Sequence, residues 1–133
     1  MTSILKGVIA ASVLVLAGAT HIAAQDTATV VYYTTRLNGH RTANGERFDS
    51  NALTAAHKTY PFGTQLRLTH VRTKKKVVVR VNDRGPFTPG RDISITRRAA
   101  RKLGILREGH AQVHITELPR NVHRKVHRRP QRR

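Results

Sequence analysis

The chain has 133 residues, and its 25 Lys and Arg against seven Asp and Glu give a formal net charge of +18. A polyanion is therefore expected among its partners: nucleic acid, an anionic wall polymer or an anionic membrane surface. No cysteine is present, which excludes disulfides, a thiolate metal site and a lipid-bearing N-terminal cysteine. With three Phe, three Tyr and no Trp, the core of one small domain must come from Val, Ile, Leu and Ala.

Residues 1–24 read as a secretory signal. Lys6 precedes the apolar run Gly7 to Gly18, and small residues follow at Ala17, Ala19, Ala23 and Ala24. The run is shorter than the ~20 residues a spanning helix needs, so cleavage is expected after Ala24, with Ala19 as the alternative. Export to the periplasm or cell wall follows from that reading.

The remainder alternates short apolar runs with turn chemistry. Thr27 to Thr35, rich in β-branched and aromatic residues, predicts a strand. Leu37 to His40 is a turn, and Thr42 to Ser50 is a surface loop around Asn44-Gly45. Ala52 to His57 suits either a short helical turn or a strand. Pro61 to Thr64 breaks the chain, Gln65 to Val71 alternates as a half-buried strand, and Thr73 to Lys76 forms a basic hairpin tip. Val77 to Val81 reads as a buried strand interrupted only by Arg80, and Arg84 to Gly90 as a structured loop. Alternation in Asp92 to Thr96 places Ile93 and Ile95 in the core, with Asp92, Ser94 and Thr96 sharing the opposite face. Thr96 should cap a helix over Arg97 to Leu103 that stops at Gly104, and Ala111 to Leu118 closes the fold as a strand. Some six short strands and one or two short helices predict a mainly β fold, a small barrel over residues 25–119. Seven of the fourteen residues from Arg120 to Arg133 are Lys or Arg and none is acidic. That tail is expected to be disordered, as a solubilising segment or an electrostatic tether.

Two polar segments hold the chemistry. Residues 42–57 contain Glu46, Asp49 and His57, and Asn82-Asp83-Arg84-Gly85-Pro86-Phe87 follows the apolar run from Val77. Together with Tyr32-Tyr33, Leu53 to His57, Pro61 to Thr64, Val79 to Val81 and Ala99-Ala100, they resemble the rare lipoprotein A family. The resemblance covers about Val30 to Leu118. It implies a six-stranded double-psi β-barrel and an endolytic lytic transglycosylase that cuts peptide-poor peptidoglycan strands. The family's functional residues map onto Glu46, Asp49, His57 and Asp83.

Lytic cleavage between N-acetylmuramic acid and N-acetylglucosamine needs a proton on the glycosidic oxygen. The muramic C6 hydroxyl then attacks the anomeric carbon and gives a 1,6-anhydro end. That internal nucleophile takes the place of water in the usual two-carboxylate scheme, so one carboxyl can serve as acid and then base. Asp83 is assigned that role. Glu46 and Asp49 would stabilise positive charge on the sugar or tune Asp83, and His57 would orient a carboxylate or the substrate. Tyr33, Asn44, Asn82, Arg84 and Asp92 are expected to bind the sugar. Each has a plainer reading: Asp83 as a turn residue, Asp49 as an Asx turn, Glu46 as a solvated loop residue and His57 as a structural histidine. No cofactor is implied, and Glu46, Asp49 and His57 lack regular metal-ligand spacing.

The chain departs from the family pattern at Ser94, which stands where an aspartate is common. A non-catalytic, expansin-like barrel that binds or loosens wall glycan is therefore the alternative function. The export signal and the lack of an aromatic ladder argue against nucleic acid, and a monomer is expected.

Overall fold

The computed structural model describes residues 26–120; the predicted signal and the tail beyond Arg120 lie outside them. Six strands form a closed barrel: β1 (Thr27–Tyr32), β2 (Thr54–His57), β3 (Gln65–His70), β4 (Lys76–Asp83), β5 (Ile93–Ile95) and β6 (His110–Glu117). Their order around the barrel is β1-β5-β2-β4-β3-β6. β1 runs parallel to β5 and β2 parallel to β4, while the other four contacts are antiparallel. This is the double-psi arrangement that the resemblance implies.

Period-two patterning explains the strands. Leu66 and Leu68 of β3, Val77, Val79 and Val81 of β4, Ile93 and Ile95 of β5 and Val113 of β6 all point inward and are buried. Helix α1 (Arg97–Leu103) adds Ala99, Ala100 and Leu103 to this core. Its bounds follow from local chemistry: the Thr96 hydroxyl accepts the Ala99 N–H at 3.3 Å, and Gly104 ends the helix at φ 77°. Thr96 also donates to the Ala52 carbonyl at 2.5 Å, tying the helix start to the chain entering β2.

The structure settles one open local reading, corrects two others and buries one pair on the outer side of β5. Residues 52–57, which suited helix or strand, contain β2, because pairing with both β4 and β5 satisfies their backbone. β1 stops at Tyr32, and Thr35–Leu37 forms one 3₁₀ turn that swings the chain toward the site. Val78 is 39% exposed and not buried, since the outer face of β4 meets solvent. Ser94 and Thr96, expected with Asp92 on the face opposite Ile93 and Ile95, are buried as well, because β1 and β2 flank β5 and α1 follows directly.

Candidate active site

A bulge builds the end of β4. Ala55 of β2 pairs with Val81, but the next residue, Ala56, pairs with Asp83, so Asn82 is an extra residue on β4. Bulges re-aim side chains at the ends of strands, and here the extra residue presents Asn82 and Asp83 to the loop between β1 and β2. That loop is pinned to them by its backbone: Asn44 N–H donates to the Asn82 carbonyl at 3.2 Å, and Ala43 N–H to Asp83 Oδ1 at 2.9 Å.

The loop has its own frame. Thr42 N–H reaches the Glu46 carbonyl at 2.7 Å, Gly45 N–H returns to Thr42 at 2.9 Å, and Gly45 takes the left-handed φ of 89° this turn requires. Asn44 Oδ1 accepts from the Thr42 hydroxyl and from Glu46 N–H, while its Nδ2 donates to Glu46 Oε1 at 2.8 Å. Arg80 grips Glu46 with two parallel bonds of 2.6 and 2.8 Å, and Asn82 Nδ2 adds one of 3.2 Å. The Arg80 hydrogen bonds, then that of Asn44, bring the Glu46 carboxyl down to about 2. Glu46 is therefore a fixed negative charge and has no proton to give near neutral pH.

Asp83 is the acceptor in every hydrogen bond it makes. Oδ1 takes Ala43 N–H and Arg84 N–H, and Oδ2 takes the Tyr33 hydroxyl at 3.0 Å. Burial, then the Asp83 charge, pushes the Tyr33 hydroxyl well above its usual range, so it stays a donor. The Tyr33 ring packs edge-on against Phe48, with centroids 5.0 Å apart. Tyr33, Asn44, Glu46, Asn82 and Asp83 thus form one hydrogen-bonded cluster.

The other predicted residues lie elsewhere. Asp49 is exposed, and its Oδ1 accepts Asn51 N–H at 2.8 Å, which is the Asx turn of the plainer reading. His57 Nδ1 accepts from Thr59 and Tyr60 N–H, both at 3.1 Å, which assigns the proton of the neutral ring to Nε2. Burial foremost, with Arg84 and Lys58 nearby, lowers its pKa from 6.5 despite Asp92. Asp92 Oδ2 accepts Thr29 N–H at 2.8 Å and so serves the β1–β5 junction. His57 and Asp92, with Asp26 and Tyr60, line a separate cavity of about 540 Å³.

Arg84 links the two regions. Its N–H contacts Asp83, while its guanidinium donates to the carbonyls of Tyr60 and His57 and lies 4.0 Å over the Phe62 ring. Phe87, part of the second polar segment but given no role of its own from the sequence, is 79% exposed four residues after Asp83. Its ring edge lies about 3.5 Å from where a Gly85 side chain would stand, an ordinary contact, so it is the φ of 117° and not the ring that calls for glycine there. An aromatic directly after Gly85-Pro86 was the available signal. Among the described residues, no three His, Asp or Glu side chains converge as a metal site requires.

The family profile described as lytic transglycolase matches residues 25–115. The chain belongs to that family. Over 78 residues the chain is 56% identical to a probable endolytic peptidoglycan transglycosylase RlpA of Synechocystis, covering 59% of this chain and 24% of that protein. It is 47% identical over 87 residues to an endolytic peptidoglycan transglycosylase RlpA of Neisseria meningitidis, covering 65% and 36%. The chain thus spans about a quarter to a third of the length of these relatives. In fold it is similar to an expansin of Clavibacter michiganensis, with a TM-score of 0.57, 16% identity and coverage of 71% of this chain and 50% of the expansin. A Streptomyces papain inhibitor also gives 0.57, at 20% identity and 71% and 94% coverage.

Proposed function

We propose that the barrel is an extracytoplasmic endolytic transglycosylase of peptidoglycan, cleaving the bond between N-acetylmuramic acid and N-acetylglucosamine in peptide-poor strands. One observation carries this reading: Asp83 and Glu46, 37 residues apart in the chain, are joined through Asn82 and Ala43 into a single cluster in which Tyr33 also holds Asp83. The cycle starts with Asp83 protonated, Oδ2 carrying the proton in place of the Tyr33 hydrogen bond. That proton passes to the glycosidic oxygen, which leaves as the 4-hydroxyl of N-acetylglucosamine, and the Tyr33 bond re-forms on the carboxylate as the proton departs. The muramic C6 oxygen bonds to the anomeric carbon, and its proton passes to Asp83, which restores the acid. No water is consumed.

The ionised Glu46 stabilises the positive charge that builds on the sugar, at a place where Arg80 already fixes its geometry. Tyr33 and the Ala43 N–H position Asp83. Phe87 offers an apolar face for a sugar ring beside the cluster. His57 and Asp92, around the neighbouring cavity, contact the strand further along rather than the reacting bond.

Incubation of the purified protein with peptide-free glycan strands should yield 1,6-anhydro ends by mass spectrometry, and Asp83→Asn should lower their yield ~10²-fold or more. Reducing ends without the anhydro bridge would indicate hydrolysis and reject the mechanism. Ser94 favours a second reading, a barrel that binds wall glycan without cutting it. Retention of the protein on glycan strands with no new ends would establish that alternative.

A further inference from the structure

Positive charge gathers where β4 begins. Arg72, Lys74, Lys75 and Lys76 lie in or beside the β3–β4 hairpin, and Arg101 and Lys102 occupy the last turn of α1; all six are exposed. The two elements touch. Lys75 Nζ lies 2.9 Å from the position a Gly104 side chain would take, so an ammonium group rests against the helix C-terminus, where backbone carbonyls favour a cation. Among the described residues the ion pair is Arg80–Glu46, so none of the six has a carboxylate partner there. Glu108 is the acid at the border, sharing a concavity with Arg72. Like charges held this close repel, and a surface of fixed negative charge relieves that repulsion.

We propose that this basic pole docks the barrel on an anionic phospholipid surface. The pole is the tip of a hairpin set beside a helix end, a shape that meets a plane more readily than it wraps a strand. The exposed aromatics Phe62 and Phe87 lie by Arg84 and Gly85, at the other end of β4, so among the described residues the pole has no Phe, Tyr or Trp ring to stack on bases, only the His110 imidazole beside Arg72. Exposed Val78 is the large apolar side chain that adjoins it on β4. Attachment is therefore electrostatic, at headgroup depth and screened by salt. β4 continues from Lys76 to Asp83, about 3.3 Å per residue and so roughly 23 Å in all, which leaves the Asp83 cluster clear of a membrane at the pole. Docking is independent of the proposed glycan cleavage.

The test is co-sedimentation of the full chain with phosphatidylcholine vesicles, with and without phosphatidylglycerol. The protein should sediment only with the anionic vesicles and be released by salt. The fourfold variant Lys74→Gln, Lys76→Gln, Arg101→Gln, Lys102→Gln should bind at least about tenfold more weakly than a variant of equal charge, Arg41→Gln, Arg47→Gln, Lys58→Gln, Arg91→Gln, because each cation seated at an anionic surface contributes severalfold. The charge-preserving set Lys74→Arg, Lys76→Arg, Arg101→Lys, Lys102→Arg should bind as the parent does, and glycan cleavage in free solution reports separately on the Asp83 cluster. Equal weakening of the two fourfold variants would show that net charge alone drives attachment and would overturn the proposal. A pole variant that lost soluble polyphosphate but kept the vesicles would overturn it too, in favour of a linear polyanion.

Discussion

Breaking the Glu46–Arg80 pair tests whether the loop that carries half the site is clamped by charge. The perturbation is Glu46→Gln, Arg80→Gln and both together. Taken alone, the drop of the Glu46 carboxyl from 4.5 to about 2 corresponds to about 3 kcal/mol. Both side chains are about two-fifths exposed, however, at 41% and 38%, and water screens most of that. Exposed pairs give about 0.2–1 kcal/mol, and bidentate geometry puts this one near the top of the range. The double-mutant cycle should therefore return a coupling of about 1 kcal/mol at neutral pH, read from urea unfolding. The sign with pH is fixed. A folded pKa below the unfolded one stabilises the protein above 4.5, and that contribution disappears as the pH falls toward about 2. Glu46→Gln should therefore flatten the stability curve in that window relative to the parent. A coupling near zero, or an unchanged acid limb, would show that the backbone bonds from Ala43 and Asn44 hold the loop without the pair.

Tyr33→Phe removes the 3.0 Å bond to Asp83 and keeps the packing on Phe48. It should lower kcat about tenfold, in line with about 1.5 kcal/mol for a hydrogen bond to a charged group, with KM little changed. Asp83→Asn should cost ~10²-fold or more in anhydro-end formation, and full activity in that variant would remove Asp83 from its role. Phe87→Ala should raise KM roughly fivefold, about 1 kcal/mol of lost apolar contact, without altering thermal stability; an unchanged KM would exclude ring stacking. His57 has a folded pKa below 6.5, so it supports the fold above pH 6.5 and withdraws that support as the pH drops through its lowered value. His57→Gln should accordingly lose less stability than the parent on acidification below 6.5, by paired denaturation curves.

What was legible in the chain follows from the range of the forces involved. The helix from Arg97 to Leu103 could be read because its cap and its stop are local: a threonine oxygen reaching Ala99 and a glycine at φ 77°. Glu46 and Asp83 were expected together through a family resemblance, and the bonds through Ala43 and Asn82 are how the chain achieves it. The bulge at Asn82 was not legible, because an extra residue in a ladder shows only when the partner strand is known. Val78 misled for a similar reason: five successive positions with four valines imply burial on both sides, but a closed barrel of six strands has an outer face as well. Asp92 shared a predicted face with Ser94 on strand periodicity, yet its carboxylate turned to the free Thr29 N–H.

Ser94 bears on how many carboxylates the reaction can use. It pairs with Val31 on one side and Ala56 on the other, and Ala56 in turn pairs with Asp83. Two ladder steps at about 4.8 Å place Ser94 roughly 10 Å from Asp83 along the sheet. Ser94 is only 5% exposed, and an ionised side chain buried there without a cation would be strongly destabilising. A serine keeps both ladders intact and leaves Asp83 without a titrating neighbour on that side. Water-consuming glycoside cleavage needs a second carboxylate as base or nucleophile. In the proposed reaction the C6 hydroxyl is the nucleophile and Asp83 recovers its proton, so the second group has no step to perform. Loss of the common aspartate is then compatible with lytic turnover, whereas hydrolysis would have to recruit Glu46 as its second carboxylate, and the chemical form of the cut end distinguishes the two.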